Sequence, residues 1–293
     1  CSLYLRMCIF CRTFVAEIRS IMRLVKVFFM ICLLQIPLLA KAEKESKFSW
    51  SASATMTSNY IWRGLYCGGP SLQLDATVDY AGFYANMWWN VGTTDWTFST
   101  FNPELDLSIG FSRWGLSVYY IHCFYFDTYQ DGTPSKLFDF NNCPQGGATG
   151  EWRVGYRVSD RLPLSCLVGV RTFSRDGYMV DGELKRAYST YIELGYDFAL
   201  GENWQLDARV GMTPAKSLYT GFKGDFAVTM IGLKLHKTWA LGKQEEASKG
   251  LNVKAFAHVM LQPWQLTKDN LIKPIAEAGD QKLNLAVGCS VSL

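Results

Sequence analysis

Three histidines, His122, His236 and His258, are the residues of this chain best suited to acid–base chemistry. A lipid hydrolase that works through a serine needs a histidine base beside that serine. None of the three histidines lies in a recognisable pairing with a serine, and the sequence has no G-x-S-x-G motif. No spacing typical of a metal site or a cofactor motif is present. We therefore expect no catalysis and no cofactor, and lipid modification remains a third hypothesis.

Acidic and basic residues that alternate with apolar ones are the second chemical feature. Where the apolar residues face lipid, the charged ones line a watery interior, because an Arg or Lys on the lipid face costs about 2–4 kcal/mol at mid-depth. Opposed acidic and basic patches across such an interior would select solutes by charge. Alternatively, the charges pair and close the interior as a polar plug. The candidates for lining or constriction are Arg63, Asp75, Asp79, Glu104, Asp106, Arg153, Arg157, Arg171, Glu193, Asp207 and Arg209, together with Glu151, Asp197 and Lys254.

The elements that must position these residues show a period of two. In residues 104–111 every second residue is apolar, and the residues between are polar or small. Residues 72–80, 188–198, 204–212 and 282–293 repeat the pattern. Successive side chains of a strand point to opposite faces, so each segment has one apolar and one polar face. The pattern predicts an all-β chain.

Twelve segments fit a strand, and many have roughly the 9–11 residues that a tilted strand needs to cross a bilayer. They are residues 48–62, 70–80, 82–91, 102–111, 114–125, 150–158, 163–172, 187–198, 204–212, 223–235, 251–261 and 282–293. The predicted fold is an antiparallel up-and-down transmembrane β-barrel of about twelve strands.

The connections between these segments sort by parity. Short links follow the second, fourth, sixth and eighth segments, whereas long links include residues 127–149, 173–186 and 262–281. Short turns at one end and long loops at the other are typical of outer-membrane barrels, with both termini on the periplasmic side. Residues 236–250 are the exception, because they are long for a periplasmic turn. Aromatic residues near strand ends fit interfacial girdles, among them Trp50, Tyr60, Trp62, Tyr80, Phe83, Trp89, Phe111, Trp114, Phe198 and Trp204.

The first 42 residues have the order of a secretory signal peptide. From Met22 a short basic region leads into the apolar residues 27–39 and then into Ala40-Lys41-Ala42, a small-x-small site. A transmembrane anchor is disfavoured, because the apolar stretch is too short for a span of about 20 residues. We predict an N-terminal extension plus signal peptide over residues 1–42, with the start at Met22 and cleavage after Ala42, and one outer-membrane barrel over residues 43–293.

The net charge of +3 belongs to this leader. Residues 1–42 hold six basic residues and one acidic residue, so residues 43–293 keep 23 basic and 25 acidic residues, a net charge of −2. No basic face suggests nucleic acid. The expected partners are outer-membrane lipid and small hydrophilic solutes.

Five cysteines follow the leader: Cys67, Cys123, Cys143, Cys166 and Cys289. Their odd number and the lack of a C-x-x-C spacing fit neither a zinc site nor a dense disulfide framework. A bridge between Cys67 and Cys143 is conceivable because both fall in predicted loops on the same side. The sequence leaves that disulfide open.

Residues 57–65 read T-S-N-Y-I-W-R-G-L, and further motifs follow in Asp79-Tyr80, in Gly82-Phe83-Tyr84 and in residues 104–110. In this order they resemble the TorF-type family of bacterial outer-membrane porins, over roughly residues 48–126. The resemblance implies a small outer-membrane barrel with a porin role. Read without the family, Gly64 permits a tight turn after the first strand. Arg63 would stand on the inner face or rim, where pairing with a lumen carboxylate is favoured over contact with a solute.

These observations predict a porin-like channel for passive diffusion of small hydrophilic solutes across the bacterial outer membrane. The alternative is a closed-lumen barrel that binds a ligand or partner through its extracellular loops, above all residues 127–149. About eight strands fill with side chains and roughly 16–18 leave a wide channel, so twelve strands predict a narrow or partly blocked passage.

Overall fold

The structure, a computed structural model, describes residues 47–97, 100–126, 134–138, 140, 147–173, 176–222, 226–241, 250–263 and 283–293. Twelve strands of this part form a closed antiparallel barrel. The prediction of an all-β chain with an antiparallel twelve-stranded barrel is thereby confirmed. The barrel strands are β1 Phe48–Thr57, β4 Ser71–Tyr80, β5 Phe83–Gly92, β6 Glu104–Arg113, β7 Leu116–Tyr125, β8 Ala148–Arg157, β9 Leu164–Phe173, β12 Thr190–Ala199, β13 Trp204–Thr213, β14 Ala227–Leu241, β15 Leu251–Leu261 and β16 Leu283–Ser292.

Each barrel strand pairs with the next barrel strand along the chain, and β1 closes the ring against β16. Two small hairpins lie outside the ring: β2 Tyr60–Trp62 with β3 Leu65–Gly68, and β10 Gly177–Val180 with β11 Glu183–Arg186. A 3₁₀ turn, Leu218–Thr220, follows β13. Among those residues, no helix has the length and apolar character needed to cross a membrane.

The barrel has a turn end and a loop end, as the parity of the links predicts. At the turn end, Ala81-Gly82 joins β4 to β5 and Trp114-Gly115 joins β6 to β7. Both residues of each pair have positive φ, 56° and 95° in the first turn and 55° and 80° in the second. Such two-residue turns match the twist of the strands they join. The links that follow β8 and β12 lie at this end too, whereas both small hairpins lie at the loop end.

Two predicted boundaries are wrong, for one reason each. The first predicted strand, 48–62, ends at Thr57, because residues 60–62 leave the barrel wall and pair with β3 instead. Residues 236–241 of the link 236–250 belong to β14, which runs for 15 residues to Leu241 and pairs with β15 from Ile231 to its end. The residues 242–249 lie outside the described part of the chain.

The two faces of the barrel wall differ in polarity along every strand. On β16, Leu285 is 55% exposed whereas the neighbouring Asn284 is 2% exposed. In an antiparallel pair, directly opposed residues share a face, so the register extends this division round the ring: Asn284 opposes Met260, and Leu285 opposes Val259. The exposed apolar residues therefore form the outside, and the polar residues form the inside.

Exposed aromatic side chains form a belt round the outside at the turn end. Its members are Trp50, Tyr80, Phe83, Trp114, Tyr156, Phe198, Trp204 and Trp239, each at least 40% exposed. The aromatic belt includes six of the ten aromatic residues singled out as girdle candidates. For Tyr60 and Trp62 that interpretation is wrong, because both belong to β2 and pack inside the loop end, where Tyr60 is 9% exposed.

Candidate functional site

The hairpin of β2 and β3, residues 60–68, folds into the loop end of the barrel, and we call it the inner hairpin. Its two-residue turn is Arg63-Gly64, with φ of 50° and 84°. Positive φ at both central residues is the geometry of a tight hairpin turn, and Gly64 adopts it without steric cost. The turn places Arg63 among side chains of the barrel wall, where it is 7% exposed.

Glu151, on the inner face of β8, is the carboxylate that Arg63 meets. Its Oε1 lies 2.6 Å from Arg63 Nη2, and its Oε2 accepts from Arg63 Nη1 at 2.9 Å. Arg153 Nε donates to Oε1 at 2.5 Å, and Arg171 Nε lies 3.8 Å from Oε2. We call these four residues the arginine cluster. Three guanidinium groups around one buried carboxylate fix the inner hairpin to the wall, because the bidentate contact sets position as well as charge.

Aromatic rings enclose the Arg63 guanidinium. Its Cζ lies 4.1 Å from the centre of the Tyr191 ring and 4.6 Å from that of Trp62. The hydroxyl of Tyr219, in the 3₁₀ turn, accepts a hydrogen bond from Arg63 Nη1. Burial opposes the charge on Arg63, but Tyr219 and Glu151 outweigh it and raise the pKa of the guanidinium. Arg63 is thus held as a cation by a site that shields it from solvent.

Two glycines permit this packing. A Cβ on Gly169, in β9, would lie 2.3 Å from Glu151 Oε1, so the carboxylate occupies the space of the missing side chain. A Cβ on Gly64 would lie 3.1 Å from the Thr229 carbonyl oxygen of β14. The Gly64 carbonyl oxygen accepts hydrogen bonds from Asn284 Nδ2 at 2.8 Å and from the Gln262 side chain. The hairpin tip therefore spans from β8 to β16 across the loop end.

A second set of ion pairs lies on the inner face near the turn end. Asp197 accepts from Arg157 Nη1 and from Arg209 Nη2, each at 2.5 Å. Arg209 Nε also lies 3.8 Å from Glu193 Oε1. The Arg157 side chain is 42% exposed, whereas the side chains of Arg63 and Glu151 are 5% and 3% exposed. This set is a hydrated network, and the arginine cluster is a buried one.

Four acidic candidates share the inner face of β4 and β6. Asp75 Oδ2 accepts from Asn86 at 3.0 Å, and Asp79 Oδ1 accepts from the Gly82 backbone N–H of the neighbouring turn at 3.1 Å. Glu104 Oε2 accepts from the Tyr60 hydroxyl at 2.9 Å, which ties the first strand of the inner hairpin to β6. In the ring, β4 is adjacent to β1, whereas Lys234 of β14 and Lys254 of β15 lie beyond β16, on the other side of β1.

Glu104, Asp106 and Cys123 each place one possible ligand atom within 4.8 Å of the other two. The sequence shows no metal spacing because the set joins two strands: Asp106 of β6 opposes Cys123 of β7 only through the register. Cys67, in the inner hairpin, is a free thiol, and Cys143 lies outside the described residues. Burial, aided by the charge of Glu104, raises the pKa of the Cys67 thiol.

The three histidines occupy different environments. His122 is on the outer face of β7, where its Nε2 contacts the Leu137 carbonyl oxygen at 2.5 Å and its ring packs near Phe138 and Phe140. His236 Nε2 lies 3.4 Å from Asp207 Oδ2, a cross-strand pairing that the spacing along the chain does not reveal. His258 lies on the inner face of β15 opposite Lys234.

Several residues of the interior were not found from the sequence. Trp62, Tyr191 and Tyr219 were not recognised as partners of Arg63, and Lys234, His236 and His258 were not counted with the interior charges. The period-two pattern assigns Lys234, His236 and His258 to the inner face through their alternation with Leu233 and Leu235, so a stricter count would have included them. Trp62 and Tyr219 carry no such signal, because they reach Arg63 from the inner hairpin and from the 3₁₀ turn. Tyr191 lies on the inner face of β12, but its contact with Arg63 depends on where the hairpin folds.

Known proteins offer a distant structural likeness and no match in sequence. No family model matches the chain, and no curated protein matches it. Among solved structures, the crystal structure of a Pseudomonas aeruginosa FadL homologue is similar over 84% of this chain and 88% of that chain, at 9% identity and a TM-score of 0.33. A likeness this distant assigns neither a solute nor a mechanism to the chain.

Proposed function

We propose that the protein is an outer-membrane channel through which small hydrophilic solutes diffuse. The outer surface supports the membrane location. Most barrel strands are ten residues long, which matches the 9–11 residues that a tilted strand needs to cross the hydrocarbon core. Exposed aliphatic side chains such as Ile109, Leu233 and Val287 cover the outside above the aromatic belt. A soluble barrel would leave this surface in water at a high cost.

The observation that carries the channel is a wall of small side chains inside the barrel. The inner faces of β1 and β16 carry no charged residue, and we call them the small-residue wall: Ser49, Ser51, Ser53, Thr55 and Thr57, with Asn284, Ala286, Gly288, Ser290 and Ser292. Such side chains leave space while they offer hydroxyl groups to a hydrated solute. The carboxylates of β4 lie on one side of this wall, and the lysines of β14 and β15 lie on the other.

The passage is narrow. The inner hairpin reaches the wall at the loop end, where Asn284 Nδ2 donates to the Gly64 carbonyl oxygen. At mid-height the Phe256 ring leans over Gly288, since a Cβ on Gly288 would lie 2.5 Å from Phe256 Cζ. Twelve strands enclose less space than the roughly 16–18 strands of wide channels. Small solutes are therefore the class that fits.

Single-channel conductance of the refolded protein in a planar bilayer tests the proposal. A matched pair of variants locates the route: Ser53→Trp puts an indole on the small-residue wall, whereas Ala54→Trp puts it on the adjacent outer face. We expect Ser53→Trp to lower the conductance by at least half and Ala54→Trp to leave it unchanged. Complete absence of conductance in the folded wild type, or equal conductance in the two variants, would contradict the proposed route.

The closed-lumen barrel is a second candidate, favoured by one observation. The inner hairpin is held at the loop end by the arginine cluster and by hydrogen bonds to the Gly64 carbonyl oxygen, so it obstructs the entrance. Replacement of residues 60–68 by a short glycine linker removes the inner hairpin and so distinguishes a channel from a closed barrel. If swelling of liposomes in sugars is absent from the wild type and from this variant, the barrel is closed and its loops carry the function.

A further inference from the structure

Four basic residues share one patch of the inner face, and we call them the basic strip: Lys234 and His236 on β14, with Lys254 and His258 on β15. Lys234 directly opposes His258, and His236 opposes Phe256, which lies between the two basic residues of β15. The Cβ atoms of directly opposed residues are about 5 Å apart. The four side chains therefore converge on one small region beside the small-residue wall.

The neighbouring strands do not neutralise the basic strip. On β13, Asp207 opposes Lys234, but its Oδ1 accepts from Gln205 at 2.5 Å and its Oδ2 lies 3.4 Å from His236. Arg209, the next inward residue of β13, adds a further cation, which Asp197 already pairs. On the other side, β16 sets only uncharged residues against β15: Ala286, Gly288 and Ser290 oppose His258, Phe256 and Lys254. One carboxylate thus faces two lysines and two histidines.

A second, independent observation concerns His236. Its side chain is buried, with 9% exposure, and its Nδ1 has no hydrogen-bond partner among the described residues. Buried polar atoms in folded proteins nearly always have a partner, whether protein or bound solvent. An unsatisfied ring nitrogen beside two lysines indicates a place for a further polar group.

Lys234 is held where it can meet such a group. Its Nζ lies 4.4 Å from the centre of the Phe256 ring, a cation–π contact that orients the ammonium group without neutralising it. The ammonium keeps its hydrogen-bond donors for another partner. A negative group is the partner that this field favours, because a cleft lined by one sign of charge concentrates the opposite sign.

We propose that the basic strip binds the oxyanion group, a carboxylate or a phosphate, of a small solute inside the barrel. Lys234 and Lys254 supply charge-assisted donors. His236, whose Nε2 faces Asp207, donates to the oxyanion from Nδ1 in its protonated form, and His258 adds an N–H donor. The proposal depends on the proposed channel only for the route by which the solute reaches the site. Binding itself requires an accessible interior, not conduction, so the two proposals fail separately.

Calorimetric titration of inorganic phosphate, and separately of succinate, into the protein in a neutral maltoside detergent at low ionic strength tests the site. Lys234→Gln removes one charged donor, so we expect about tenfold weaker binding. Lys237→Gln is the matched control: it removes the same charge from the outer face of β14, where Lys237 lies over the Trp204 and Trp239 rings. We expect this control to bind as the wild type does.

Reversal potentials in a potassium chloride gradient give an independent measure. We expect Lys234→Gln and Lys254→Gln to shift the selectivity toward cations, while Lys237→Gln leaves it unchanged. Absence of phosphate and succinate binding in the wild type, or equal affinity in Lys234→Gln and Lys237→Gln, would overturn the site. Binding without conductance would leave the site standing and contradict the channel, whereas conductance without binding would do the reverse.

Discussion

The two halves of the barrel interior are built differently. Around β8, β9 and β12, large side chains fill the space: Arg63 enters from the inner hairpin, contacts Glu151 and is enclosed by Tyr191 and Trp62. Along β1 and β16, the inner faces carry serine, threonine, glycine, alanine and asparagine. The same alternation produces both halves, so the size and charge of the inward residues decide which half is filled by large side chains and which is lined by small ones.

The two halves also differ in whether their charged side chains are paired. In the filled half, the charges of the arginine cluster lie within hydrogen-bond or ion-pair distance of an opposite charge, as Glu151 does with Arg63 and Arg153. Beside the small-residue wall, Lys234 opposes Asp207, whereas Lys254 opposes the uncharged Thr238 and Ser290. Paired charges hold the hairpin in place, whereas cations in excess are available to a solute.

The largest expected effect comes from breaking the buried pair. Glu151→Gln leaves Arg63 without its carboxylate, and loss of one partner of a buried ion pair costs about 3–5 kcal/mol. Asp197→Asn is the comparison at the turn end, where the pair is partly hydrated and about 1 kcal/mol or less is expected. Urea unfolding of both variants in lipid vesicles measures the difference. Equal losses would mean that the hairpin contact stabilises no more than a hydrated pair.

A single methyl group tests how closely the filled half is packed. Gly169→Ala places a Cβ 2.3 Å from Glu151 Oε1, and overpacking of a buried site costs about 1–3 kcal/mol. Gly250→Ala is the control, because no atom of the described residues lies within 4 Å of a Cβ there. The same urea series applies. An unchanged stability of Gly169→Ala would show that Glu151 can move away from Gly169 without loss.

The Cys67 thiol reports whether the inner hairpin stays inside. Because burial raises the pKa of this thiol, little thiolate is available, and alkylation by maleimide at pH 7.5 should be at least about tenfold slower than for an exposed cysteine. We expect Glu151→Gln to accelerate it and Asp197→Asn to leave it unchanged, as measured by mass spectrometry of the Cys67 peptide. Fast labelling of the wild type would place the hairpin outside the lumen for much of the time.

The smallest effect on stability is expected in the loop between β9 and β12, where the carboxyl group of Asp176 is buried. Burial raises the pKa of Asp176, although its Oδ2 accepts from the Ser189 backbone N–H at 2.9 Å. The folded loop therefore binds a proton more tightly than the unfolded loop, so its stability is greatest at acid pH and falls as pH rises through the raised pKa. Hydrogen exchange of residues 176–189 between pH 4 and 7 measures this. Asp176→Asn should remove the dependence, and an unchanged slope in that variant would assign it to another group.

The strands were predictable because their information is local. Alternation along residues 104–111 or 204–212 states which residues share a face, and a barrel needs little more. The inner hairpin was not predictable by the same means. Tyr60 and Trp62 continue the alternation of β1, so the pattern alone extends the strand to residue 62. In the structure the hairpin is held in the lumen, because Tyr60 contacts Glu104 and Arg63 contacts Glu151 and Tyr219.

The amino-acid sequence by itself determined that the chain forms a barrel with an apolar outside, where the turns lie, and which residues face inward. Those properties follow from the two-residue repeat of the strand. Only the tertiary structure decided that Arg63 meets Glu151, 88 residues away, and that His236 meets Asp207. Such partners depend on the register between neighbouring strands and on how a loop folds back, and neither is encoded in the spacing of neighbouring residues.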